Sequence, residues 1–165
     1  MTTTPYQILL VEDNPDDVWL IKRACTDSQL PCEIHAVEDG VEATLFLQQR
    51  GRYQNATVPD LILLDLKLPR KDGGQVLAEV KADARLKHIP VIILTGSDSQ
   101  EDILRSYANY ANSYVQKPNL EPFAKKIRSV VDYWLTTARI PQHDPHQAES
   151  EWLRDKSANG KQERD

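Results

Sequence analysis

Nowhere in this chain does an apolar run approach the roughly 20 residues needed to cross a bilayer. The opening stretch, MTTTPYQ, has neither the basic nor the apolar region of a secretory leader. A membrane-spanning or exported protein is therefore not expected, and the expected compartment is the cytoplasm. Basic charge is also short: 20 Lys and Arg stand against 25 Asp and Glu, a formal net charge of -5. Broad binding to nucleic acid or to a membrane surface needs clustered cations, so neither partner is expected, and a cation suits the chain better as a small ligand. Cysteine is scarce. Cys25 and Cys32 are too few for a disulfide framework and lack metal-ligand spacing, so both read as packing residues. Neither GxxxxGK[ST] nor GxGxxG occurs, which removes the two glycine-rich phosphate cradles of nucleotide-binding proteins.

What is present is an alternation. At 165 residues with 40% hydrophobic content, the chain suits one domain and a short appendage. Short apolar runs read as strands at 6–11 (YQILLV), 33–38 (EIHAVE), 60–65 (DLILLD), 89–95 (IPVIILT) and 113–116 (SYVQ). The third and fourth are apolar on consecutive residues, as strands buried on both faces should be. Segments of helical period at 16–28, 40–50, 73–85, 99–110 and 120–138 separate and follow them, with Asp39-Gly40, Gly73-Gly74 and Pro118 marking starts. The expected fold is α/β, a doubly wound five-stranded parallel sheet with five helices. Right-handed crossovers in such a sheet put functional residues on the loops beyond the carboxyl ends of the strands.

Those loops carry chemistry. In PDLILLDLKLPRKDGG, Asp65 directly follows four apolar residues, and a carboxylate at that place either ends a strand idly or is displayed for reaction. Glu12 and Asp13 follow the first strand, Thr95 ends the fourth, and Lys117 with Pro118 follows the fifth. Three carboxylates on one edge repel one another unless a divalent cation or the Lys117 ammonium offsets them, so the site asks for Mg²⁺. A cation, a hydroxyl and an ammonium around Asp65 could stabilise a transferring phosphoryl group, with Asp65 as the nucleophile. Each residue alone also has a plainer reading: a turn cap at Asp65, helix-start acids at Glu12 and Asp13, a solvated charge at Lys117. Together on one edge they need four coincidences, which favours the functional constellation.

The segments LLVEDN, LILLDLKLP with its DG, VIILTG and YVQKP resemble the response-regulator receiver domain of two-component signalling, over about residues 5–138. Phrases such as VEDNPDD and LKHIPVIILTGSDSQEDI are most similar to the cyanobacterial phytochrome response regulators. The resemblance implies that Asp65 is the phosphoacceptor, that Asp13 binds Mg²⁺ directly and Glu12 through water, and that the Lys67 backbone carbonyl completes the metal site. It implies Thr95 and Lys117 as the hydroxyl and ammonium that engage the phosphoryl group. Thr95 and Tyr114 become the switch pair, and Pro118 follows the lysine through a cis bond. Glu12 departs from the aspartate common at its position. The implied partner is a histidine kinase, a phytochrome in that subfamily; the downstream target stays unknown. The implied activity is slow self-dephosphorylation and no other turnover, with no output domain expected.

Two rival readings are weaker. A phosphohydrolase of the haloacid dehalogenase type needs a second acid two residues after its nucleophile, where this chain has Lys67. A receiver-like scaffold that is never phosphorylated would be expected to lack an acid or the lysine, and neither is missing.

Residues 139–165 turn polar and charged, and are expected to form a flexible tail. Within it, AESEWLRDK could make a short helix docking Trp152 and Leu153, and His143 and His146 are better read as solvated than as metal ligands. Before the tail, Ile103, Leu104, Tyr107 and Tyr110 recur at helical intervals, as do Phe123, Ile127, Val130, Val131, Trp134 and Leu135. That is more apolar surface than one sheet face needs, so Ile103, Tyr107, Tyr110, Tyr133 and Trp134 are candidates for a homodimer face that responds to phosphorylation.

Overall fold

The structure is a computed structural model and describes residues 4–28, 30–118 and 122–141. The suggested helix and the histidines of the tail lie outside those residues. Five parallel strands, β1 (Tyr6–Val11), β2 (Cys32–Val37), β3 (Leu61–Leu64), β4 (Val91–Thr95) and β5 (Ser113–Gln116), form one sheet in the order β2-β1-β3-β4-β5. Between and after them run α1 (Pro15–Thr26), α2 (Gly40–Leu47), α3 (Gly73–Ala82), α4 (Gln100–Ala108) and α5 (Phe123–Asp132). A 3-10 turn at Gly51–Tyr53 and a π-helical turn at Tyr133–Thr137 complete the regular structure.

The strands are apolar throughout because both faces are covered. Leu9, Val11, Ile62, Leu64, Val91 and Ile93 pack with Phe46, Leu47, Val76, Leu77 and Val80 of α2 and α3. The alternating residues Ile8, Leu10, Leu61, Leu63, Ile92 and Leu94 pack with Ile21, Ala24, Ile127, Val131 and Leu135 on the α1 and α5 side. Each fully buried Leu or Ile of this kind stabilises the fold by roughly 1.5–3 kcal/mol relative to exposure.

Helix starts are marked by side chains. Asn14 accepts from the Asp16 amide at 2.9 Å, Asp39 from the Glu42 amide at 2.8 Å, and Asp72 forms a capping box with Gln75. At the outer edge, Tyr107 of α4 places its hydroxyl 3.1 Å from the Tyr114 amide of β5, as acceptor.

Two expectations are corrected here. Cys25, in the last turn of α1, and Cys32, at the start of β2, are joined as a disulfide with their Cα atoms 6.2 Å apart. The end of α1 lies beside the start of β2, which spacing alone does not reveal. The Lys117–Pro118 bond is trans, as are all peptide bonds among the described residues. The chain leaves β5 still extended, with the Lys117 amide donating to the Thr95 carbonyl at 2.7 Å.

Candidate functional site

Glu12, Asp65 and Lys117 each sit just past a strand, where one further ladder bond fixes the backbone. The Glu12 amide donates to the Val37 carbonyl at 3.0 Å, the Asp65 amide to the Val11 carbonyl at 3.0 Å, and Lys117 to Thr95 as above. Side chains that leave such positions have little backbone freedom, so the pocket is built on the rigid part of the fold.

The Lys117 ammonium is the centre. Its Nζ lies 2.7 Å from Glu12 Oε2, 2.8 Å from Asp17 Oδ2 and 3.1 Å from Asp65 Oδ2, so all three of its donors meet carboxylates. Burial alone would lower the proton affinity of this lysine, but the bonds to Asp17 and Glu12 and the charge of Asp65 outweigh it and raise its pKa. Burial acts the other way on Glu12. It pushes that carboxyl up to about 7, with the Asp65 charge adding to the rise and Lys117 opposing it.

Glu12, Asp13 and Asp65 bring carboxylate oxygens within 4.8 Å of one another, with Asp13 exposed and the other two buried. An all-oxygen donor set with one open side fits a hard divalent cation. Lys67 is exposed on the loop after β3, and its amide donates to Asp65 Oδ1 at 3.3 Å.

Thr95 is fully buried at the end of β4, and the Ser97 amide approaches its Oγ1 at 3.5 Å. The Tyr114 hydroxyl donates to the Ser97 carbonyl at 2.9 Å, and the Ser97 hydroxyl bonds Asp102 of α4 at 2.6 Å. A single loop residue, Ser97, therefore joins the expected switch hydroxyl to the expected switch aromatic and to α4. Sequence reasoning gave Ser97 no role.

The loop from Leu66 to Asp72 is pinned from the α2 side. Arg70, whose φ is 63°, donates through Nε to Asp39 at 2.9 Å, and Lys71 donates to Thr44 at 2.9 Å. Burial would raise the Asp39 pKa, but Arg70 and the Glu42 amide outweigh it and hold the carboxyl below its ordinary range. Gly73 is required because a Cβ there would collide with the Asp65 carbonyl oxygen. Arg70 and Asp17 escaped sequence reading, and Asp39 was read only as a helix start and not as the partner of Arg70. Asn14 and Asp17 at capping-box spacing were the one signal available for Asp17.

This geometry has counterparts. A family model described as the response regulator receiver domain matches residues 8–128. The chain belongs to the response regulator receiver family. Response regulator Rcp1 of Synechocystis sp. is 43% identical over 138 residues, covering 83% of this chain and 94% of the relative. The crystal structure of the phosphorylated cyanobacterial phytochrome response regulator RcpA superposes with a TM-score of 0.81 at 46% identity, covering 84% of this chain and all of the other. The Mn²⁺-bound form of Rcp1 also gives 0.81, at 42% identity over 84% of this receiver and all of that chain. The receiver match displaces the haloacid dehalogenase reading.

The expected dimer residues do not form one class. Tyr107, Tyr110 and Tyr133 are exposed, whereas Ile103 is half-buried and Trp134 packs half-buried against the α1 and α5 core, edge-on to Tyr133. Leu104, left off that face by sequence reasoning, is 72% exposed. No helix among the described residues is long and apolar enough to cross a membrane.

Proposed function

We propose that this receiver is a phosphorylation-dependent switch in which Asp65 accepts a phosphoryl group from the phosphohistidine of a histidine kinase, holds it, and loses it slowly to water. One observation carries the reading: the buried Asp65 carboxylate lies against a fully engaged ammonium and beside two further acids, Glu12 and Asp13. One Asp65 oxygen attacks phosphorus as the bond from phosphorus to the donor imidazole nitrogen breaks, leaving an acyl phosphate. Mg²⁺, held by Glu12, Asp13, Asp65 and the Lys67 carbonyl, would supply positive charge to the phosphoryl oxygens. Lys117 supplies a second positive charge from the β5 side, and Thr95 offers a hydroxyl to the same group. Movement of Thr95 is passed through Ser97 to Tyr114 and α4.

The names of the similar phytochrome response regulators support a phytochrome as the kinase partner. The exposed Leu104, Tyr107, Tyr110 and Tyr133 support a homodimer through α4, β5 and α5. We assign residues 1–138 to the switch, 139–165 to an appended polar tail, and the whole to the cytoplasm.

Incubation with acetyl phosphate and Mg²⁺, followed by mass measurement of intact protein, tests the central step. Wild type should gain one phosphoryl group and Asp65→Asn none. Normal labelling of that variant overturns the assignment.

A further inference from the structure

Lys117 does not divide its ammonium between metal-binding acids alone. Its second bond, 2.8 Å long, goes to Asp17, which is absent from the group of carboxylates close enough to share a cation. Asp17 lies in the first turn of α1, where Asp16 and Asp17 are both suited to the helix dipole. Only one of them does more. Asp16 is exposed, whereas the Asp17 side chain is 20% exposed and reaches a lysine 100 residues away.

We propose that Asp17 is a positioning residue that gives the Lys117 ammonium an anchor outside the metal-binding acids, so that a divalent cation can take oxygens of Glu12 and Asp65 without displacing the lysine. This rests on the phosphoacceptor reading of the same pocket. The ammonium has three donors, and here they are shared among three carboxylates. Entry of a cation at Glu12, Asp13 and Asp65 consumes lone pairs that Lys117 is using and places two positive charges close together. A carboxylate outside the metal set gives the lysine an anchor that cation entry leaves alone. Without that anchor, the ammonium has only Glu12 and Asp65 to bind, and it competes with the cation for both. Asp17 thus keeps a permanent positive group beside Asp65 while leaving the metal oxygens available.

Calorimetric titration of the full chain with Mg²⁺ alone tests this. Asp17→Asn should weaken Mg²⁺ binding about tenfold, the size typical of losing a group that orients metal ligands. In a Lys117→Met background the same substitution should change the affinity less than about twofold, since there is no ammonium left to position. Asp17→Glu should recover most of the affinity by keeping a charged acceptor within reach. Asp17→Ser serves as a second neutral variant, and circular dichroism confirms that each protein compared is folded. Equal weakening in both backgrounds would mean that Asp17 acts only as bulk negative charge, and would overturn the proposal. So would unchanged affinity in Asp17→Asn and Asp17→Ser. Acetyl phosphate labelling of wild type reports separately on the phosphoacceptor reading. Its failure would sink that reading without altering the Mg²⁺ affinities.

Discussion

Two lysines mark the two ends of the sheet, and both use all three donors. Lys117 at the carboxyl end meets Glu12, Asp17 and Asp65. Lys81 at the amino end meets the carbonyls of Lys87 at 3.0 Å and Ile89 at 2.9 Å and the Asn112 side-chain oxygen at 3.0 Å. The bond count is equal and the electrostatics are opposite. Burial lowers the proton affinity of Lys81 because its acceptors are neutral, whereas the carboxylates around Lys117 reverse the effect of burial. Lys81 therefore staples α3 to the starts of β4 and β5, and Lys117 neutralises a pocket that is over-supplied with negative charge. The charge of the acceptors separates the two lysines, where the number of bonds does not.

The largest expected effect comes from Lys117→Met. Removing one partner of a buried ion pair typically costs about 3–5 kcal/mol, and denaturant titration at pH 8 without metal should show a loss near that size. Mg²⁺ should restore part of it. The loss should also be smaller at pH 6, because Glu12, raised from 4.5 to about 7, can take up a proton in place of its lost partner. For a carboxyl raised in this way, the folded state binds the proton more tightly than the unfolded chain does. That contribution to stability is present below 4.5 and disappears as the pH rises through about 7. A loss independent of both Mg²⁺ and pH would break the contrast between the two ends.

Lys81→Met should cost less, about 1.5–3 kcal/mol, for the loss of ammonium hydrogen bonds to neutral acceptors that water can partly reclaim. The same titration should show no response to Mg²⁺, because none of the Lys81 acceptors belongs to the acidic edge. A Mg²⁺ response in this variant would mean that the amino end is coupled to the pocket.

The smallest effect is expected at the rim. Arg70 is 56% exposed, so Asp39→Asn should cost no more than about 1 kcal/mol at neutral pH. Asp39 has a depressed pKa in the folded state, so its contribution is present above 3.8, the ordinary value, and is lost as the pH falls through the folded value. The melting difference between wild type and Asp39→Asn should therefore close in acid. A difference that persisted at acid pH would point to packing in place of charge.

The strands and the acidic edge were legible because both depend on short-range pattern. Consecutive apolar residues such as Leu61–Leu64 cannot face water on either side, and in a doubly wound sheet the residues after strands must converge. The contacts that organise the pocket were not legible. Asp17 looks the same as any helix-start acid until β5 is placed, and Arg70 to Asp39 spans 31 residues of chain with no periodic signal. Helical spacing correctly marked the apolar stripes of α4 and α5, but it could not tell which side stays outside. Trp134 turns partly inward, and Leu104 faces solvent. The Cys25–Cys32 bond depends on how the end of α1 lies against the start of β2, which residue counts do not convey.

The hydroxyl of Tyr107 has a consequence for how this molecule meets others. A parallel sheet that ends in an open strand offers its free amides as a template on which a foreign strand can grow, the usual route to aggregation. Here the outermost strand is four residues long, and the outward amide of Tyr114 is already taken by a side chain of α4. A newcomer would have to lift Tyr107 away before adding itself to the sheet. Association on this flank is thereby steered toward side-chain surfaces that can separate again, as a reversible signal requires, and away from cross-strand fusion that would lock the molecule in one state.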